Sequence, residues 1–513
     1  MIRHIVTVSS GTLTSRILGF LRDSLIAALL GAGAIADAFL VAFQFINVAR
    51  RMLAEGALNA ALVPGYLRAR ETEGQTAAAA FAGRVMGTLT LILVAIGAIL
   101  ALAMPMMVAL LAPGFRDQPT LELAVNNARL MLPYFAFVAP VSVMMGVLNA
   151  EHRYTLSAFS PVLFNIVLIG AMIGLVIWPH DAAFASHVIA GTVGVAGCLQ
   201  TLVLIQRRPH RNGLATPLRI VFDPEMRGFL RKAVPGMIAN SGPQLLIVAG
   251  AIIASSSPAA VSWLYFANRL IELPVGVVGV AMGTVLVPTL TRAVHDHDET
   301  VLAQTESRGL ELAIGLALPG MLGLIALGEM IVRVLFEHGA FTADDTRSTA
   351  AALAMLALGL PAHVLVKTLA PAFFARDNTM TPLIATLAGV AVAIVAGMLL
   401  GSRFGANGVA ASIALASWFS AGLLLRAGAT TFGFSFDTVA RQRLPRIVIS
   451  AVAMGAALAG ANAFVAPVTE QADLIAQLII LGGMIAGGIS FYALLLELFG
   501  VVSWAKAIGD LRG

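Results

Sequence analysis

Apolar stretches of bilayer-spanning length follow one another along almost the whole chain. Crossing about 30 Å of hydrocarbon takes roughly 20 apolar residues in a helix, and about fourteen such stretches can be counted between residues 5 and 499. Inside a bilayer every backbone polar group must find its partner within the chain, so the spanning segments are helices. The composition agrees, with 59% hydrophobic and only 12% charged residues. The expected fold is an all-α polytopic membrane protein.

An internal repeat organises these spans. Ala61-Leu62-Val63-Pro64-Gly65-Tyr66-Leu67-Arg68-Ala69 resembles Val285-Leu286-Val287-Pro288-Thr289-Leu290-Thr291-Arg292-Ala293, and the turn at Ala150-Glu151-His152-Arg153 resembles the one at Ala375-Arg376-Asp377-Asn378. Both matches lie about 225 residues apart, the signature of a duplicated unit. Six helices fit in one offset, an even number, so the halves share one orientation and are related by an axis along the membrane normal. The expectation is two pseudo-symmetric six-helix lobes, 1–206 and 228–430, joined by a basic cytoplasmic linker at 207–227 and followed by a C-terminal helix pair in 431–513.

The net charge of +5 is first a topology signal, not a mark of nucleic-acid binding. Arg68 and Arg70, Arg153, Arg207, Arg208, Arg211, Arg219, Arg227, Arg231, Lys232 and Arg441, Arg443 and Arg446 fall in connections on one side. The excess of Lys and Arg marks the cytoplasmic side, which places both termini there. The single cysteine, Cys198, excludes an intrachain disulfide and a cysteine metal site. His295-Asp296-His297-Asp298-Glu299 has metal-like residue types but reads as a solvated loop, and no metal is expected. Neither a Walker motif, a nucleophile elbow nor a zinc signature occurs, so no catalytic residues are assigned and ATP is not the direct energy source within this chain.

The charges inside the apolar stretches carry the functional signal. Ser15-Arg16-Ile17-Leu18-Gly19-Phe20-Leu21-Arg22-Asp23 lies in the first stretch, and Asp37, Arg50, Arg51 and Glu55 in the second. Four arginines at membrane depth, Arg16, Arg22, Arg50 and Arg269, would cost about 10 to 14 kcal/mol if uncompensated, which calls for a wet cavity or an anionic ligand. Guanidinium forks match phosphate oxygens bidentately, so a phosphate or pyrophosphate headgroup is the cargo they suit. Local pairing is the alternative: Arg16 with Asp23 seven residues on, Arg51 with Glu55 at i,i+4, and Arg269 with Glu272 at i,i+3. Glu311, Glu329, His363, Lys367 and Glu497 are weaker candidates for ion coupling.

At these same residues the chain resembles the MurJ/MviN family of lipid II flippases, within the multidrug/oligosaccharidyl-lipid/polysaccharide exporter superfamily. The resemblance runs through SRILGFLRD at 15–23, GAGAIADAF at 31–39, RRMLAEGALNAALVP at 50–64, NRLIELPVGVVGVAMGTVLVPTL at 268–290 and LFEHGAFTADDT at 335–346. It implies a multi-pass bacterial inner-membrane transporter, not an enzyme, that flips undecaprenyl-pyrophosphate-linked peptidoglycan precursor by alternating access. It further implies that Arg16, Arg22, Arg50 and Arg269 bind substrate. Asp37, Ser15, Asp23, Arg51, Glu55 and Glu272 would support or gate the site, and the terminal helix pair would form a groove for the lipid tail. The implied partners are lipid II, membrane lipids and the cell-wall synthesis machinery, with no cofactor. A sodium site known in some members needs acidic residues in helix seven, where this chain reads Pro235-Gly236-Met237-Ile238-Ala239-Asn240-Ser241; membrane potential is the simpler driver. A cation-coupled multidrug exporter would need an acidic cavity. A polyprenyl-phosphate glycosyltransferase would need a carboxylate on a large external loop. The arginines and the short loops disfavour both.

Overall fold

A computed structural model describes residues 2–54, 57–178, 180–206, 215, 218–239, 242–281, 299–374, 376, 378–433, 437–469 and 472–503. Among these the only regular elements are helices. In order they are α1 (Ile2–Leu30), α2 (Ala34–Ala54), α3 (Ala57–Glu73), α4 (Gln75–Leu111), α5 (Pro119–Met131), α6 (Phe135–Ala150), α7 (Tyr154–Ile177), α8 (Ala182–Gln206) and α9 (Pro224–Ala239). Then come α10 (Gly242–Ala254), α11 (Ala260–Ala281), α12 (Glu299–Phe336), α13 (Ala343–Ala357), α14 (Leu360–Phe374), α15 (Met380–Phe432), α16 (Thr438–Thr469) and α17 (Leu474–Leu498).

Local chemistry sets several of the boundaries. Aspartate carboxylates cap orphan amide N–H groups at four helix starts. Asp181 accepts from Phe184 N, Asp223 from Met226 N, Asp437 from Ala440 N and Asp473 from Ala476 N, at 2.6 to 3.0 Å. α1 stops at Gly31, whose φ of 68° suits a residue without a Cβ. α15, 53 residues long, is bent at Gly405, with φ 55° and ψ −134°.

Eight helical runs among the described residues are long and apolar enough to cross a bilayer, or nine if the bent pair α13–α14 is one span. That is fewer than the fourteen stretches read from sequence. The 53-residue α15 enters as one run although its two halves fold back on each other at Gly405, with Ser420 Oγ donating to Ala385 O at 3.0 Å, and α1 and α2, which carry the buried Arg22, Asp23 and Asp37, fall outside the set. The qualifying helices put apolar surface outward: Leu102 and Phe464 are each 85% exposed, which in water would be an aggregation hazard and in lipid is the solvated state. The protein is a multi-pass membrane protein.

The described chain divides into two compact units. The first comprises 1–262 together with 338–342. In it α1 packs on α7, α2 on α5, α7 on α8, and α3 and α6 on α4. The chain between the expected lobes joins this unit from residue 218. The Thr88 hydroxyl of α4 exchanges hydrogen bonds with the N–H and carbonyl of Val221, and Arg84 pairs with Asp223 and Glu225. Arg207, Arg208 and Arg211 of the basic linker lie outside the described residues. The short segment 338–342 returns to the end of α1, where Ala340 N donates to Ala28 O at 2.8 Å.

The second unit comprises 263–337 and 343–513. α16 and α17 pack on α12 through Leu327, Met330, Ile447, Met454, Leu481 and Tyr492, and the Tyr492 hydroxyl donates to Gly315 O at 2.8 Å. A second cluster, with Leu310, Leu365, Leu369, Phe373 and Leu424, joins α12, α14 and α15.

Candidate anion site

In the first unit the charged run of α1 turns inward at Arg22 and Asp23, which are 6% and 0% exposed. Neighbours in sequence cannot share a helix face, yet the long guanidinium folds back onto the carboxylate. Arg22 Nη2 and Nε lie 2.6 and 3.0 Å from Asp23 Oδ1. Arg22 Nη1 donates to Asn165 Oδ1 at 3.1 Å, and Asn165 Nδ2 donates to the Ser15 carbonyl about two turns earlier. The guanidinium also lies 5.1 Å from the centre of the Phe43 ring. Buried, hydrogen-bonded and stacked, Arg22 is oriented by α1, α2 and α7 together.

Arg50, near the end of α2, uses Nε and Nη2 on Asn47 Oδ1 at 3.3 and 3.2 Å and stands 5.5 Å from the Phe164 ring centre. Phe164 and Asn165 are consecutive residues of α7, so one turn of that helix meets both arginines. Arg16 is half-buried on α1 and makes no hydrogen bond or ion pair among the described residues. Of the pairings weighed from spacing, Asp23 is held by Arg22 and not by Arg16. Arg51 is half-buried, and Glu55 lies outside the described residues.

Asp37 sits in the first turn of α2, 2% exposed. Its Oδ1 accepts from the N–H of Ser262 at 2.8 Å and from the Ser262 hydroxyl at 2.5 Å. Ser262 lies in the opening turn of α11, whose amide groups have no helical partner and carry the positive end of the helix dipole. Asp37 thus caps, from another helix, the element on which Arg269 is carried.

Arg269 belongs to the second unit. Its Nη1 lies 2.9 Å from Glu272 Oε2, the i,i+3 pair that the spacing offered. Two of the three weaker acidic candidates are engaged, Glu311 with Arg443 at 3.3 Å and Glu329 with Arg333 at 2.9 Å, and the third, Glu497, is exposed. Among the described residues no group of three or more His, Cys, Asp or Glu could hold a metal ion; the run 295–298 lies outside them.

Sequence reasoning missed Asn47, Phe43, Phe164 and Asn165. Asn165 left one trace, a lone amide inside the apolar run Val162-Leu163-Phe164-Asn165-Ile166-Val167, since an unpartnered amide at that depth is costly. Chemically the cluster offers oriented guanidinium donors flanked by amides and aromatic faces, a surface suited to an anion with several oxygens.

Comparison with known proteins places the chain in context. The family profile described as lipid II flippase MurJ matches residues 26–477. A protein of Rhizobium meliloti (strain 1021) named probable lipid II flippase MurJ is 35% identical over 498 residues, 96% of this chain and 92% of its own length. The lipid II flippase MurJ of Burkholderia cenocepacia is 35% identical over 389 residues, 74% of this chain and 75% of its own. Among solved structures, a lipid II flippase MurJ in an inward closed conformation shares 24% identity with a TM-score of 0.77 over 96% of this chain and 98% of that one. An inward-facing multidrug transporter of the MATE family shares 16% identity with a TM-score of 0.67 over 86% of this chain and 98% of that one. At these identities the two structures speak to the fold alone.

Proposed function

The chain belongs to the lipid II flippase family MurJ, and from that premise we propose that it carries a lipid-linked peptidoglycan precursor from the cytoplasmic to the outer leaflet of the bacterial inner membrane. As a member of that family it is a transporter and not an enzyme. The observation that carries the cargo assignment is the convergence of Arg22 and Arg50 on one turn of α7, held by Asn165, Asn47 and two phenylalanine rings. In this reading Arg16, Arg22, Arg50 and, from the second unit, Arg269 serve the pyrophosphate. Ser15, Asp23, Arg51, Glu55 and Glu272 support them, and Asp37 sets the start of the helix bearing Arg269.

The proposed architecture has fourteen spans, two six-helix lobes at 1–206 and 228–430, both termini in the cytoplasm and a C-terminal pair that accommodates the lipid tail. Alternating access moves the headgroup while the tail stays in lipid. A multidrug exporter of the same superfamily would recognise cations, and the arginine cluster would repel them.

The test is depletion of the protein in its own host while externally accessible lipid II is scored, with rescue by wild type, Arg16→Ala or Arg269→Ala. Accumulation of lipid II on the cytoplasmic side, rescue by wild type and failure of both variants at normal membrane levels is the expected outcome. Unchanged external lipid II on depletion would overturn the cargo, and rescue by both variants would overturn the arginine site.

A further inference from the structure

The second unit holds a titratable cluster that the arginine site does not use. α13 and α14 together have the length and apolarity of one span but bend by 42° between Ala357 and Leu360. A break at membrane depth takes backbone carbonyls out of the helical ladder, and they need donors from elsewhere. Trp418 Nε1 of α15 donates to Leu358 O at 2.9 Å, and His363 Nδ1, one turn beyond the break, donates to Gly359 O at 3.0 Å. Gly359 is where α15 comes closest, since a Cβ there would lie 2.8 Å from the Ala414 Cα. The second ring nitrogen, His363 Nε2, faces the Ser417 hydroxyl oxygen at 3.3 Å, and that oxygen lies 2.8 Å from Ile413 O.

Counting protons in this chain of contacts gives two states. Nδ1 carries a hydrogen in both, because its partner is a carbonyl oxygen that only accepts. Ser417 has one hydroxyl hydrogen to give. Donated to Ile413 O, the shorter contact, it leaves Oγ turned toward Nε2 as an acceptor, and a bond forms there only if Nε2 is protonated too. In the neutral ring the hydroxyl must instead leave Ile413 O and donate to Nε2. An imidazolium therefore keeps the Gly359, Ser417 and Ile413 contacts together.

We propose that His363 is a proton-binding site of this transporter, and that proton uptake there fastens α14 to Ser417 of α15 at the broken span. The site rests on the transporter reading for its purpose and on its own geometry for its existence. His363 is half-buried. The charges that bear on it are few. Lys367, one turn on along α14, opposes a second positive charge, and it is exposed. On α12, Glu306 and Glu311 are engaged by Arg376 and Arg443. Residues 312–328 of α12 and 404–425 of α15 contain no ionisable side chain.

Trp418, one of four tryptophans, reports on the break directly. The experiment is a pH titration, from 5 to 9, of tryptophan emission from the full chain in lipid nanodiscs, without cargo. Wild type should show a one-proton transition in the histidine range, lost in His363→Gln and in Trp418→Phe. Ser417→Ala, which removes a hydrogen bond to the charged ring, should lower the midpoint by about one pH unit. Lys367→Met should raise it by about half a unit. Absence of a transition in wild type, its persistence in His363→Gln, or unchanged midpoints in both Ser417→Ala and Lys367→Met would overturn the proposal; the last two variants stand even where His363→Gln fails to fold. Because no lipid II is present, a failed lipid II assay leaves this result untouched, and a flat titration leaves the cargo assignment untouched.

Discussion

Replacing Asn165 by alanine tests the central claim about how the arginines are held. The side chain is 5% exposed and makes two bonds, one accepted from the Arg22 guanidinium and one donated to the Ser15 carbonyl, both at 3.1 Å. A hydrogen bond to a charged group contributes about 1.5 to 3 kcal/mol and a neutral one about 1 kcal/mol, so the truncation should cost about 3 kcal/mol, a hundredfold in the folded to unfolded ratio. The Arg22 contact alone should appear as a coupling of about 1.5 kcal/mol or more in a double-mutant cycle with Arg22→Met. Equilibrium unfolding of the four proteins in mixed micelles reads both numbers. If Asn165→Ala is within about 0.5 kcal/mol of wild type, or if the cycle closes without coupling, α7 does not orient Arg22 and the argument fails.

Removing the carboxylate of Asp37 leaves the Ser262 N–H and hydroxyl without their acceptor, so Asp37→Ala should lose about 2 to 4 kcal/mol while Asp37→Asn, which keeps an acceptor but no charge, should lose about half as much; amide exchange in the opening turn of α11 reads the difference. At Gly339, φ is 61° and an added Cβ would meet Ala28 O at 2.3 Å, so Gly339→Ala should free residues 338–342 to protease while Gly460→Ala, where nothing lies within 4 Å, should not. Tyr66 is fully buried with its hydroxyl 2.8 Å from Glu151 Oε1 and 3.1 Å from Gln75 Nε2, and Tyr66→Phe should cost about 1 to 2 kcal/mol in thermal denaturation of the membrane-reconstituted protein. Burial and then the Glu151 carboxylate push that phenol up. Its stabilisation is thus fully present below the unfolded value of about 10 and is lost as pH rises above it. Alkaline titration of wild type against Tyr66→Phe should show the gap between them narrowing from that point toward the raised folded value.

The sequence reading reached whatever depends on local pattern. Helical spans, the charges inside them and the Arg269–Glu272 spacing are short-range facts written in hydropathy and period. It stopped where partners are distant in the chain. Asn165 lies 143 residues from Arg22, and Ser262 lies 225 from Asp37; nothing in the run 15–23 or 31–39 announces either. The identity of the Arg22 partner also escaped, because face-sharing geometry favours Asp23 for Arg16 and does not describe a flexible side chain curling onto its neighbour. The break between α13 and α14 lies inside a single apolar stretch, because hydropathy registers apolar length and is blind to a bend capped by Trp418 and His363.

The small segment 338–342 also has a consequence in time. Ala28 is made early, and the Ala340 N–H that bonds to its carbonyl is made some three hundred residues later. At about 5 to 20 residues per second, α1 waits in the bilayer roughly 15 to 60 seconds for the piece of chain that closes over its end. The first unit is therefore begun with the first residues and closed only at residue 342, about two thirds of the way along the chain, over helices α1 to α8 that by then already pack on one another.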